Sequence, residues 1–202
     1  MTHEEFLSAG MHIGMKQQTK SMKKYIYKVR EDGLAILDLQ TIENKINMAS
    51  KFLSKFSRIM VVSRKSAAWK SAIKFAEAVD GKANIGRFLP GTITNPNFPG
   101  YYEPDVLVVT DPLVDSQAIE EASKMRIPIV ALCDTSNETS LIDFIIPVNN
   151  KGRKSLSMVY FLLAREMQKN RGKIKEDSDF KYKPEDFESQ ERKEIRGDEE
   201  EE

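Results

Sequence analysis

Two short runs, Val106-Leu107-Val108-Val109 and Ile129-Val130-Ala131-Leu132, are apolar at every position. A strand with one wet face alternates apolar and polar residues. One that is apolar throughout must be covered on both faces, as in a central parallel sheet between layers of helices. Helical spacing over 41–56, 67–79, 116–125 and 155–170 alternates with strand-like runs over 58–63, 83–86, 105–110, 128–132 and 144–148. That order predicts an α/β fold, a doubly wound three-layer domain. No internal repeat is visible. A chain of 202 residues that is 40% hydrophobic can bury one sizeable core, so one domain is expected over 1–171 with an appendage over 172–202.

Ahead of the sheet, Thr2 and Glu5 form a capping box for a helix of about two turns that Gly10 would close. Two β-prone runs, 25–29 and 34–39, flank Glu31-Asp32-Gly33, an Asp-Gly turn signal that predicts a hairpin. The run leading into it, 15–30, carries Lys16, Lys20, Lys23, Lys24, Lys28 and Arg30 with no acid, and Tyr25 and Tyr27 lie among them.

The formal charge of zero hides an asymmetry. Up to Arg171 there are 24 Lys and Arg against 18 Asp and Glu; beyond it there are 7 against 13. A basic body beside an acidic tail suggests a polyanionic partner. The tail, polar apart from Phe180, Tyr182, Phe187 and two isoleucines, reads as mobile in isolation. Cys133 is the only cysteine and His3 and His12 the only histidines, so neither a disulfide nor a Cys/His zinc site can be assembled within one chain. No apolar run approaches the ~18 residues that span a bilayer. The expectation is a soluble, unexported protein in a reducing, cytosolic setting, with no metal and no cofactor.

An open α/β sheet binds ligands at the carboxyl ends of its strands, which here are Ser63, Gly86, Thr110-Asp111, Cys133-Asp134 and Asn149-Asn150. The common nucleotide and hydrolase signatures, GxGxxG after the first strand, GxxxxGK[ST] and GxSxG, fail. Asp111 and Asp134 could hold Mg²⁺ in a receiver-like or phosphoryl-transfer site. Both are also followed by turn chemistry, Pro112 in one case and Thr135-Ser136-Asn137 in the other, and capping a turn accounts for them. Cys133 reads as inert core. His12 reads either as a phosphate contact beside Gly14 or as a packed structural histidine.

What the sequence does supply is positive charge near strand ends. To the run over 16–30 are added Arg64-Lys65, Arg87, and Lys151-Gly152-Arg153-Lys154 at the start of the last helix, where cations oppose the helix dipole and need another reason to exist. Between 86 and 105 lies a long connection that is uncharged from Phe88 to Tyr102 and rich in Pro and Gly. Pro90-Gly91 fits a type II turn, and Phe88, Pro90, Gly91, Thr92, Thr94 and Asn95 make a candidate binding loop. RNA binding is the leading reading. If about five of these cations neutralise phosphates, affinity should fall on the order of a few hundred-fold between ~50 and ~200 mM salt. The other readings are a Mg²⁺-dependent domain using Asp111 and Asp134, and a cytosolic adaptor joining proteins through the loop and acidic tail.

Several segments carry a more specific resemblance: Ala9-Gly10-Met11-His12-Ile13-Gly14, Ile36-Leu37-Asp38-Leu39, the stretch 86–96, Glu103-Pro104-Asp105 continuing to Pro112, the stretch 127–135, Ile146-Pro147-Val148-Asn149-Asn150-Lys151-Gly152-Arg153-Lys154-Ser155, and Leu162-Leu163-Ala164-Arg165-Glu166. In this order the chain resembles the universal small-subunit ribosomal protein two family in its archaeal form, related to the eukaryotic ribosomal protein SA, over about 2–171. Ser136 and Val148 depart from the family's pattern. The resemblance implies a flavodoxin-like or Rossmann-like domain without a catalytic role. It would pack on ribosomal RNA at the solvent side of the small subunit, near the head–body junction, as a single copy supporting translation. It also implies that the tail lies across neighbouring ribosomal proteins, with Phe180, Tyr182 and Phe187 as anchors.

Overall fold

The computed structural model describes residues 3–176 and 179–189. Five parallel strands, β3 (Ile59–Ser63), β4 (Lys82–Ile85), β5 (Val106–Val109), β6 (Ile129–Cys133) and β7 (Phe144–Pro147), lie in the spatial order β4-β3-β5-β6-β7. Numbered within the sheet, this is the flavodoxin-like order 2-1-3-4-5. β3, β5 and β6 are buried at every residue and occupy the centre, whereas the edge strands β4 and β7 are only partly covered. The two all-apolar runs are thus central strands.

The helices α2 (Leu39–Leu53), α3 (Trp69–Val79) and α5 (Arg153–Asn170) form one layer, α5 packing against both of the others. On the opposite face α4 (Ser116–Lys124) links β5 to the parallel β6. Between β4 and β5, where another helix would complete that layer, the chain runs the 86–105 connection instead. α2 starts at Leu39 because Asp38 caps it, its carboxylate accepting the Thr41 N–H at 3.1 Å and the Thr41 hydroxyl.

Before the sheet come α1 (His3–Ser8), ended by Gly10 at φ 68°, and a hairpin of β1 (Ile26–Val29) with β2 (Ala35–Leu37). Thr2, half of the expected capping box, lies outside the described residues. In the hairpin turn Gly33 takes φ 84° and Asp32 accepts the Leu34 N–H at 3.1 Å, so the Asp-Gly signal marks the reversal. The other side of β2 is occupied by the chain around Ile13: Gly14 N–H donates to Ala35 O (2.9 Å), and Leu37 N–H to His12 O (2.8 Å).

Beyond Arg171, residues 179–189 lie back against the helices. Phe187 is fully buried, and a 3₁₀ turn over Pro184–Phe187 packs on α3 and α5. Phe161 of α5 meets the rings of Phe180 and Phe187 edge-on at 5.4 and 5.9 Å. The Ser71 hydroxyl donates to Phe187 O at 2.6 Å, and the Ser189 hydroxyl to Ala67 O at 3.0 Å. Phe180 and Phe187 thus pack onto the chain's own α5, with Tyr182 against both rings. Burial of one Phe is worth roughly 3–5 kcal/mol when tested by truncation. Residues 190–202 lie outside the described part.

Candidate nucleic-acid interface

Parallel strands bring every β-to-helix connection to one edge of the sheet, and in the 2-1-3-4-5 order the ligand crevice opens between the carboxyl ends of β3 and β5. In this chain the crevice is closed from within. Lys65, just past β3, forms an ion pair with Asp111, just past β5, and donates to Asn150 O at 3.2 Å. Asp111 Oδ1 also accepts the Leu113 N–H at 3.0 Å and the Asn137 amide at 2.8 Å. Asn137 Oδ1 accepts from Asp134 N–H (2.7 Å) and from the Asn150 amide (3.0 Å), tying the ends of β5, β6 and β7 together. Asp134 accepts the Thr135 N–H at 2.6 Å, with Lys151 Nζ 3.9 Å away. Turn capping therefore describes Asp111 and Asp134. Mg²⁺ at this pair would have to displace an ammonium and an amide already seated there, and among the described residues no group of three or more His, Cys, Asp or Glu is placed to hold a metal ion.

Asp115 is the carboxylate that local sequence patterns missed. It accepts Arg64 N–H at 3.0 Å and Asp111 N–H at 3.4 Å, and burial pushes its pKa up to about 6 against the pull of those hydrogen bonds. Burial likewise raises Asp134, the Cys133 thiol and the Tyr160 phenol. His12 is held low by burial, with its Nδ1 enclosed and unpartnered among the described residues. This favours the packed histidine over the phosphate contact.

The ends of β6 and β7 are covered by the segment after α1. The Thr135 hydroxyl accepts Met15 N–H at 2.8 Å, Thr19 N–H donates to Thr135 O at 2.9 Å, and Asn149 N–H donates to Met11 O at 2.9 Å. Gly14 is required by close approach: a Cβ there would stand 2.5 Å from Thr135 Cγ2 and 3.0 Å from Ala35 O. This crossing carries the first half of the basic run onto the sheet edge.

The cations separate by depth. Lys65 is committed inside. Lys16, Lys20, Arg64, Arg87, Lys151 and Lys154 are exposed and Arg153 is half-buried. They follow β3, β4 and β7 or lie on the crossing segment, so four clusters distant in sequence share one rim. Lys16 lies against the hairpin turn at Gly33, and Lys151 Nζ sits 2.9 Å from Met15 Sδ, so the clusters abut. Lys23, Lys24, Lys28 and Arg30 continue the positive surface along the hairpin, Arg30 pairing with Asp32 at 3.2 Å.

The candidate loop is partly core. Phe88, Thr92 and Ile93 are buried, while Leu89, Pro90 and Asn95 face solvent. Gly91 at φ 93° and the Thr92 N–H to Leu89 O bond (3.2 Å) form the expected type II turn. What holds it is Glu121 on α4, which accepts Gly91 N–H (2.7 Å), Ile93 N–H (3.2 Å), the Thr94 hydroxyl (3.3 Å) and the Gln117 amide (3.0 Å). Burial opposes the charge, but these donors outweigh it and hold the Glu121 carboxyl below its usual range. The available signal was a glutamate on the stripe of Ala118 and Ala122, the apolar face of α4.

Fold and edge together define a doubly wound α/β domain whose crevice is filled by its own side chains and whose rim is lined by cations. The comparisons agree: the family model described as Ribosomal protein S2 matches residues 6–98 and 101–170. The chain belongs to the ribosomal protein S2 family. It is 49% identical over 189 residues to the small ribosomal subunit protein uS2 of Thermoplasma acidophilum, covering 93% of this chain and 95% of that one. To the protein of the same name from Picrophilus torridus it is 47% identical over 189 residues, covering 93% and 94%.

Proposed function

We propose that the chain works without catalysis, laying the rim of its sheet edge and its hairpin on ribosomal RNA while the outer face of the 86–105 loop meets RNA or a neighbouring ribosomal protein. As a member of its family it is a structural constituent of the small ribosomal subunit and supports translation. The observation that carries the contact assignment is the convergence of four basic clusters on one edge, beside a crevice whose own charges are already paired. Exposed cations there lose little hydration on meeting phosphates and release counterions, which makes binding salt-dependent. Lys16, Lys20, Arg64, Arg87, Lys151, Arg153 and Lys154 at the edge and Lys23, Lys24, Lys28 and Arg30 on the hairpin are the phosphate contacts; Lys65 serves the fold. The protein sits as a single copy in the cytoplasmic ribosome. Among the described residues no helix is long and apolar enough to cross a membrane.

The test is sedimentation of the tagged protein from lysate on a gradient, with and without ribonuclease, at low and high salt. Comigration with small subunits that nuclease abolishes supports the reading. Migration as a free monomer throughout would overturn it, and comigration that tolerates nuclease would point to the adaptor reading.

A further inference from the structure

Tyr27 is an aromatic ring that the fold does not use. It is 71% exposed, second only to Leu113 among the large apolar side chains left in solvent, and among the described residues no other ring or cation sits over it. Its position follows from an irregularity in the hairpin. Ile26 pairs with Leu37 and Lys28 with Ile36, so two steps along β1 match one step along β2 and Tyr27 is the extra residue of a β-bulge. Bulges turn a side chain away from the ladder's alternation and recur beside functional sites. Here the bulge sets a ring in water on a strand whose other side, among the described residues, pairs with no strand, the hairpin sheet being β1 and β2.

The surroundings specify the partner. Lys23, Lys24 and Lys28 are exposed within four residues of it in the chain, Lys24 with its ammonium 5.0 Å over the Tyr25 ring, and no acid occurs from Met15 to Arg30. A protein partner's apolar side chain would gain the ring but would bury these ammonium groups. An unpaired nucleotide satisfies both: its base offers a flat π-face to the ring, and its phosphates meet the lysines. A base inside a duplex has no free face to offer. We propose that Tyr27 is a stacking platform for an unpaired base of ribosomal RNA, with Lys24 and Lys28 on the flanking phosphates. This rests on the RNA-binding reading and names the part of the RNA involved.

The experiment measures binding of the full-length protein to a fluorescent 12-nucleotide single-stranded oligo(A) and to a 12-base-pair RNA duplex across a salt series. Tyr27→Ala should weaken single-strand binding about tenfold while leaving duplex binding within about twofold and the salt slope unchanged. Tyr27→Phe should restore affinity, because the ring and not the hydroxyl stacks. Lys28→Gln should flatten the salt slope by roughly one unit on both RNAs. Equal single-strand binding by Tyr27→Ala, or failure of Tyr27→Phe to rescue, overturns the platform while the Lys28→Gln result keeps the RNA reading alive. Absence of binding to either RNA by the unmodified protein overturns both. A photoreactive benzoylphenylalanine in place of Tyr27 that crosslinks to a ribosomal protein and not to RNA in assembled subunits also overturns it.

Discussion

Along one sheet edge the same residue types do two different jobs. Inside, the half-buried Lys65 and the buried Asp111, Asp115, Asp134 and Asn137 form a network in which each charge meets a counter-charge or a hydrogen-bond partner. On the rim, Lys16, Lys20, Arg64, Arg87 and Lys154 stand in water, and among the described residues none has a carboxylate within ion-pair distance. The difference teaches that a lysine near a strand end is informative only together with its depth. A cation paired with an interior carboxylate is committed to it, whereas a solvated one without a partner is available to a polyanion.

The sharpest way to break this contrast is Lys65→Met, which strands Asp111 in the interior and should cost about 3–5 kcal/mol of stability in urea unfolding. Gly14→Ala comes next. With no room for a Cβ against Thr135 and the Ala35 carbonyl, it should cost about 3 kcal/mol and lower protection of the Met15 and Thr19 amides in hydrogen exchange. Asp115→Asn probes the network by pH. The folded pKa of Asp115 lies above its ordinary value, at about 6 against 3.8, so its contribution is fully present below pH 3.8 and is lost as pH rises through about 6. Asparagine does not titrate, so the stability of the variant relative to the parent should climb by about 2 kcal/mol between pH 4 and pH 7. Smallest in stability is Lys154→Gln on the rim, within about 0.5 kcal/mol. It should nevertheless reduce the salt slope of RNA binding by roughly one unit, a readout that the interior variants do not share.

Much of the architecture was legible because it is written locally. The all-apolar runs became β5 and β6, Asp32-Gly33 turned the hairpin, and Pro90-Gly91 made its type II turn. Where the local pattern ended, so did the reading. Lys65 was grouped with the phosphate contacts because its partner Asp111 lies 46 residues on and reaches it only through the parallel register of β3 with β5. The connection over 86–105 was read as a candidate binding loop from its own residues, and nothing local shows that Glu121, far along the chain, pulls its backbone into contact with α4. Beyond Arg171 composition suggested mobility; mean polarity does not show that Phe180 and Phe187 meet Phe161 while Tyr182 packs against both of them.

That convergence bears on how the chain is made. Ribosomes release the N-terminus first, and the outer cover of α3 and α5 arrives with Phe187, 116 residues after the Ser71 hydroxyl that fastens it. Until then Phe161 and its neighbours are an uncovered sticky face on an otherwise assembled domain. Synthesis aborted near Arg171 would leave that face open to aggregation and to proteolytic surveillance. The segment over 179–189 is thus the last described part of the chain to close the surface of α3 and α5.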